Sequence, residues 1–261
     1  MKPLFVEAVG LAGPGLADWA GAQAVLRGDV PYAPAELPAY SPERLPPNER
    51  RRATASVRLA FRACEDALKG TARSPSDLAT VFASSDGDLE IVHRINNGLL
   101  QPTRIVSPTD FHNSVHNAPA GYWSIAVGSK KPSSSLAAHD GSVAAGLLEA
   151  SALVSEDGYD TLFAAYDVKA PPALVAHRTV TRAFGFALVL CASKTERSLG
   201  QIVLAPAAEA ESGMKDASLE SLRLANPIAR ALPLLALMAR RAAGSAVLPS
   251  PGGALQVRYA P

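Results

Sequence analysis

The chain has 261 residues, 48% of them hydrophobic, so it can bury a sizeable core as one large domain or two small ones. With 25 Lys and Arg against 24 Asp and Glu, the formal charge of +1 leaves no global field to gather nucleic acid or an anionic membrane. Cys64 and Cys191 lie far apart, in segments that read as core, which fits a reducing cytoplasm better than a disulfide scaffold. Pro3 and Glu7 interrupt what would have to be the apolar core of a signal peptide, so no export is expected. The longest apolar stretches, around 184–192 and 232–238, are about half the ~20 residues a membrane-spanning helix needs.

Residues 4–11 alternate loosely and predict a strand, followed by a Gly-rich loop and a helix over 16–26. Gly10, Gly13 and Gly15 lack the spacing of a dinucleotide or phosphate-binding loop and read as turn residues. Prolines make 30–47 a loop, because each fixes φ and removes a ladder donor. Residues 48–69 place Ala53, Val57, Ala60, Phe61, Cys64 and Leu68 on one helical face. Arg50, Arg51, Arg52, Arg58 and Arg62 occupy or flank the other. Residues 78–84 read as a buried strand entering Ser85-Asp86-Gly87-Asp88, with a helix over 89–99. Ser107-Pro108-Thr109-Asp110-Phe111 offers cap chemistry for a helix over 112–127, which Pro119 breaks or begins. A small-residue strand over 133–138, a helix over 141–155 and a strand over 161–166 continue the α/β alternation. Residues 183–192 and 201–205 read as neighbouring strands, a hairpin-like pair. A polar linker over 209–216, a helix interrupted at Pro227 and Pro233, and a terminal strand over 255–259 complete the pattern.

In this order the segments resemble the beginning of a β-ketoacyl synthase, a condensing enzyme of the thiolase fold. The residues that carry the resemblance are Leu45-Pro46-Pro47 before the Arg-rich helix, Val81-Phe82-Ala83-Ser84-Ser85-Asp86-Gly87, and the stretch from Ser107-Pro108 to Gly128. The strand from Pro132 to Ala138 and the helix from Ser142 to Ala152 follow, with 160–165 after them. The likeness is strongest to the shorter ketosynthase-like group associated with aryl polyene assembly, through Phe111-His112-Asn113-Ser114-Val115-His116-Asn117 and His139-Asp140-Gly141-Ser142. It spans residues 5–206.

The resemblance implies a cysteine delivered by the 133–138 strand to the next helix's N-terminus, where the dipole and backbone N–H groups lower its pKa. This chain has His139 or Asp140 there instead. Counting from Pro132 selects Asp140, and counting from the following helix selects His139. Neither is a thiol. The second thiolase-like half, which supplies two histidines and a lysine in active members, also finds no room in the tail from Leu219.

Other patterns keep rival chemistry open. His112 and His116, four apart on a predicted helix, resemble half of a metal site, but Asn113 stands where the metalloprotease motif needs Glu, and no metal is expected. His139, Asp140 and Ser142 invite a hydrolase or acyltransferase reading, without the Gly-x-Ser-x-Gly elbow. Asp140 can equally cap the helix.

The expectation is therefore a layered α/β thiolase-like fold, the N-terminal half of a ketosynthase. Residues 1–261 form one truncated domain, with a family-like core over 1–208 and a linker, helix and terminal strand over 209–261 packing on it. The resemblance implies a non-catalytic, chain-length-factor subunit in fatty acid or polyketide (aryl polyene) assembly, without a cofactor. Its partner is an active ketosynthase or a second copy, together with an acyl carrier protein, for which Arg50, Arg51 and Arg52 are the candidate contacts, although an Arg run on a helix is more commonly a solvated face. Phe111, His112, Asn113, His116, Asn117, Tyr122 and Trp123 are candidates for the acyl-pocket gate or interface, with plain core and capping roles as the competing reading, and Ser133, Ser134 and Ser135 line the dimer axis. The rivals are an enzyme using His112, His116, His139 and Asp140, and a homodimeric carrier-protein scaffold.

Overall fold

Nine residues, apolar at nearly every position, make Leu4–Ala12 the first strand, β1, of the computed structural model, which describes residues 1–261. Ala79–Ala83 forms β2, the serine-rich Ser133–Leu136 forms β3, and Thr161–Asp167, Phe184–Cys191 and Gly200–Ala207 form β4, β5 and β6. Gly244–Ser250 and Gly253–Ala260 close the fold as β7 and β8. All eight share one sheet in the order β3, β2, β4, β5, β1, β6, β8, β7. The β3, β2 and β4 pairings are parallel and every other pairing is antiparallel.

Helices cover both faces, which is why β1, β2, β4 and β5 are almost wholly apolar instead of alternating with polar residues. One face carries α1 (Trp19–Arg27), α7 (Ser142–Ser155), α8 (Ala217–Leu224) and α9 (Leu232–Arg240), and receives Val9 and Leu11 of β1. The other carries α3 (Ala55–Leu68) and α6 (Ala118–Val127), and receives Ala8 and Ala12. Helix α3 lies so close to β1 that a Cβ added at Gly10 would stand 2.0 Å from the Ala63 carbonyl oxygen. Only a glycine fits there.

Four expectations change. The 48–69 helix divides into α2 (Pro47–Arg52) and α3, because Thr54 is extended and its side chain accepts the Val57 N–H as an N-cap. The 112–127 helix divides into α5 (Pro108–Asn113) and α6, with Pro119 in the first turn of α6. Between 83 and 108, α4 is Leu89–Leu100, capped by Asp88. Strands β5 and β6 do not pair, since β1 lies between them and bonds to both. The tail supplies two strands: β8 pairs with β6 from Gln201↔Ala260 to Ala207↔Ala254, so it widens the sheet while α8 and α9 cover its α7 face. No helix is long and apolar enough to cross a membrane.

Candidate functional site

Strand β3 ends at Leu136, and the chain turns through a single 3-10 turn, His139–Gly141, into α7. His139 takes a left-handed backbone conformation, φ +51°, which costs a side-chain-bearing residue about 1–2 kcal/mol. Its side chain is 70% exposed, with Nδ1 3.4 Å from Asp140 Oδ1. Ser142 is fully buried: its Oγ accepts the Ala138 N–H at 3.0 Å and donates to the His139 carbonyl at 2.7 Å. It fastens the turn and is shut off from any substrate.

Asp140 is held by two arginines distant in sequence. Arg178, in the connection after β4, donates from Nη1 to Oδ1 at 2.6 Å, and Arg230, before α9, reaches Oδ2 at 3.4 Å. Arg178 also donates from Nε to Asp86 Oδ2 at 2.5 Å, which ties the turn after β2 to the turn after β3. Arg230 pairs with Glu211 at 2.6 Å, Glu211 with Arg223 at 3.1 Å, and Arg223 with Glu220 at 2.7 Å. Burial pushes the Asp140 carboxyl up, but the Arg178 hydrogen bond and the charges of Arg178 and Arg230 outweigh it and leave the pKa below the usual carboxylate range. Strong hydrogen bonding from Arg223 holds Glu220 down at about 2.

Behind this chain of ion pairs lies Asp167, the last residue of β4. It accepts the Ser84 hydroxyl at 2.7 Å, and the Ser85 N–H and hydroxyl at 2.9 and 2.5 Å. Full burial nevertheless raises its pKa to about 7, against the lowering effect of those three bonds. The carboxyl ends of β2, β3 and β4 are thus tied together by a polar knot. Neither cysteine belongs to it. Cys64 is buried in α3 and Cys191 sits at the end of β5; burial pushes the first thiol well up and the second to about 12.

The remaining expected residues lie on the outer layer. His112 and His116 do not share a helix, because α5 ends at Asn113, and the His112 ring stands edge-on to Tyr122 at 6.3 Å between centroids. His116 Nε2 lies 2.9 Å from the Leu136 carbonyl and braces the end of β3. The split helix removes the four-residue helical spacing on which the half metal site rested. Asn113 is buried and donates to the Arg52 carbonyl at 3.1 Å. Trp123 is sealed in the core, edge-on to Phe61 at 5.1 Å, and Tyr122 is buried beside it. Phe111 is 71% exposed, as are Val115 and Ile125 in large part. His112, Asn117 and Tyr122 line a cleft of about 220 Å³ with Val115 and Ile125.

Strand β3 pairs only with β2, so one edge is open. Ser133 accepts from Thr80 at 2.8 Å, Ser134 donates to Glu149 at 2.7 Å, and Ser135 is half-buried. Arg50 is spent on the Glu43 and Leu45 carbonyls, whereas the side chains of Arg51 and Arg52 are exposed, with Asn48 and Glu49 as their polar partners. Sequence reasoning missed Arg178, Arg230, Glu211 and Asp167. The Ser84-Ser85-Asp86 turn was the one local signal of this knot.

The model of the β-ketoacyl synthase N-terminal domain matches residues 19–243, past the 206 boundary at which the resemblance stopped. The chain belongs to the β-ketoacyl synthase N-terminal domain family. No curated protein sequence matches it. Among solved structures, a chain of "Ketosynthase (ApeO) in Complex with its Chain Length Factor (ApeC) from Xenorhabdus doucetiae" is 23% identical with a TM-score of 0.75, covering 100% of both chains. A chain of the ishigamide ketosynthase/chain length factor is 14% identical (TM-score 0.76, 99% of both chains). One from AntDE:AntF, a type II PKS acyl-carrier protein in complex with its ketosynthase, is 12% identical (TM-score 0.73, 99% of both). The fold of this β-ketoacyl synthase family member is accordingly that of the thiolase-like N-terminal half.

Proposed function

We propose that this chain is a non-catalytic, chain-length-factor-like subunit that pairs with an active β-ketoacyl synthase of type II polyketide or fatty acid assembly, of the aryl polyene kind, and shapes its acyl pocket. The observation that carries this reading is the β3–α7 turn. Its left-handed residue is His139, its carboxylate is neutralised by Arg178 and Arg230, and both thiols are buried elsewhere with raised pKa values. A thioester needs a thiolate nucleophile, so an acyl chain must be loaded on a partner.

Two surfaces favour a partner. The open edge of β3 presents small residues to which another strand can approach closely. Beside it, α4 to α6 and their connections expose Leu99, Leu100, Ile105, Phe111, Val115 and Ile125, an amount of apolar surface that association would bury. Two of the complexes named above join a ketosynthase and a chain length factor, and the third holds a carrier protein with its ketosynthase. Of the Arg50–Arg52 run, Arg51 and Arg52 are exposed and available to an acidic carrier protein.

Co-expression with a complete β-ketoacyl synthase from the same source, followed by size exclusion and intact-protein mass spectrometry, tests the assignment. Co-elution with acyl groups on the partner alone is expected. Independent elution, or thioester or ester turnover by the isolated chain that His139→Ala abolishes, would overturn it. A pair that forms but makes products of unchanged length after Phe111→Ala would remove the pocket-shaping role.

A further inference from the structure

On the α3 face, just outside the carboxyl end of β4, lies a cleft of about 480 Å³ that plays no part in the turn or in the open β3 edge. Its floor is apolar: Leu59 of α3, Val168 and Ala183 from either end of the β4–β5 connection, and Leu37 and Tyr40 from the Pro-rich loop. That loop is fixed, not draped. Arg62 donates to the Pro38 carbonyl at 2.7 Å and stacks 5.9 Å from the Tyr40 ring centre, and the Tyr40 hydroxyl donates to Glu65 at 2.7 Å. The wall is therefore preformed.

The rim is cationic. Arg58 and Lys169 are both exposed, and neither makes a hydrogen bond or ion pair through its side chain. Ala55, the first residue of the 14-residue helix α3, brings the positive end of that helix to the same rim. The one carboxylate lining the cleft, Glu90, lies 3.8 Å from Arg94 and is partly offset by it. Two free cations over an apolar hollow of a few hundred cubic ångströms, in the crevice beyond strand carboxyl ends, suit a small molecule with an aliphatic tail and one anionic head.

We propose that this cleft binds a free aliphatic carboxylate, the tail against Leu59, Val168 and Ala183 and the carboxylate between Arg58 and Lys169. The head supplies the charge the rim lacks, and the tail removes apolar surface from water. A cationic or neutral amphiphile gains only the second term.

Decanoate titrated into the full chain and followed by calorimetry and by amide chemical shifts tests this. Saturable one-to-one binding is expected, with shifts clustered at residues 55–62, 168–169 and 183. The Arg58→Ala/Lys169→Ala double variant, altered only at exposed positions, should bind roughly tenfold or more weakly, the loss of about one charge-assisted hydrogen bond. Ala183→Leu fills the hollow while keeping both cations and should weaken binding similarly. Decanol should bind at least about tenfold more weakly than decanoate by the same reasoning. Non-saturable binding, equal affinity for decanol, or undiminished binding in either variant would overturn the proposal.

Discussion

Replacing Arg178 with Met removes the guanidinium that joins Asp86 to Asp140 while retaining most of the side chain's length. Breaking a buried ion pair by deleting one partner costs about 3–5 kcal/mol. Here Arg178 is 14% exposed, but Asp86 and Asp140 are 20% and 34% exposed, so solvent recovers part of the loss. Arg178 Nη2 is also buried without an acceptor, a cost the methionine abolishes. The net expectation is about 2 kcal/mol at pH 7, a fall of roughly 4–8 °C in melting temperature for a domain of this size. The sign of the pH dependence follows from Asp140, whose folded pKa is depressed. Its contribution is complete above the unfolded value near 3.8 and is lost as pH falls through the lower folded value. The gap between wild type and Arg178→Met should thus be constant from pH 7 to about 4.5 and narrow below about 3.5. Urea denaturation across that range, with Asp140→Asn and the double variant to complete a cycle, measures it. A loss under about 0.5 kcal/mol at pH 7, or a gap that does not narrow at all as pH falls below the unfolded value, would refute the reasoning.

Gly10→Ala should destabilise the protein by about 3 kcal/mol or more, because its Cβ would meet α3 backbone that cannot move aside; the urea midpoint reports it. Asp167 is raised to about 7, so wild type should lose stability relative to Asp167→Asn as pH climbs from about 4 to 7, the opposite sense to Asp140; melting curves of both proteins check this. His139→Gly should gain up to about 1 kcal/mol by relieving the left-handed conformation, partly offset by the freedom glycine adds to the unfolded chain. A loss there would mean that the His139 contact with Asp140 outweighs the strain.

Local pattern carried most of the fold. Strands β1, β2, β4 and β5 announce themselves by apolar runs between Gly, Pro and Ser, and α7 by small apolar residues after a turn. The failures were of two kinds. Thr54 is an ordinary residue inside an apolar period of 3.6, and the period continued across the break that its N-cap created, whereas Pro119 was legible as a break or a first turn and stands in the first turn of α6. The supposed hairpin of β5 and β6 failed because β1, some 170 residues earlier than β5, took the place between them, a contact that no local window contains. Gly244–Ser250 went unread because its Gly, Ser and Pro resemble a tail. In the site, His139, Asp140 and Ser142 were visible as neighbours, but the arginines that decide Asp140's state stand 38 and 90 residues away. Charge partners of that kind leave no spacing to detect.

Because β1 is threaded between β5 and β6, it stays without either lateral neighbour until residues 184–207 have followed it in synthesis. Its apolar faces must meanwhile be sheltered by α1 and α3 or by a chaperone, and closure of the sheet has to await long loops being brought together. Slow maturation limited by that insertion, and a tendency to aggregate when synthesis outruns it, follow from the topology alone.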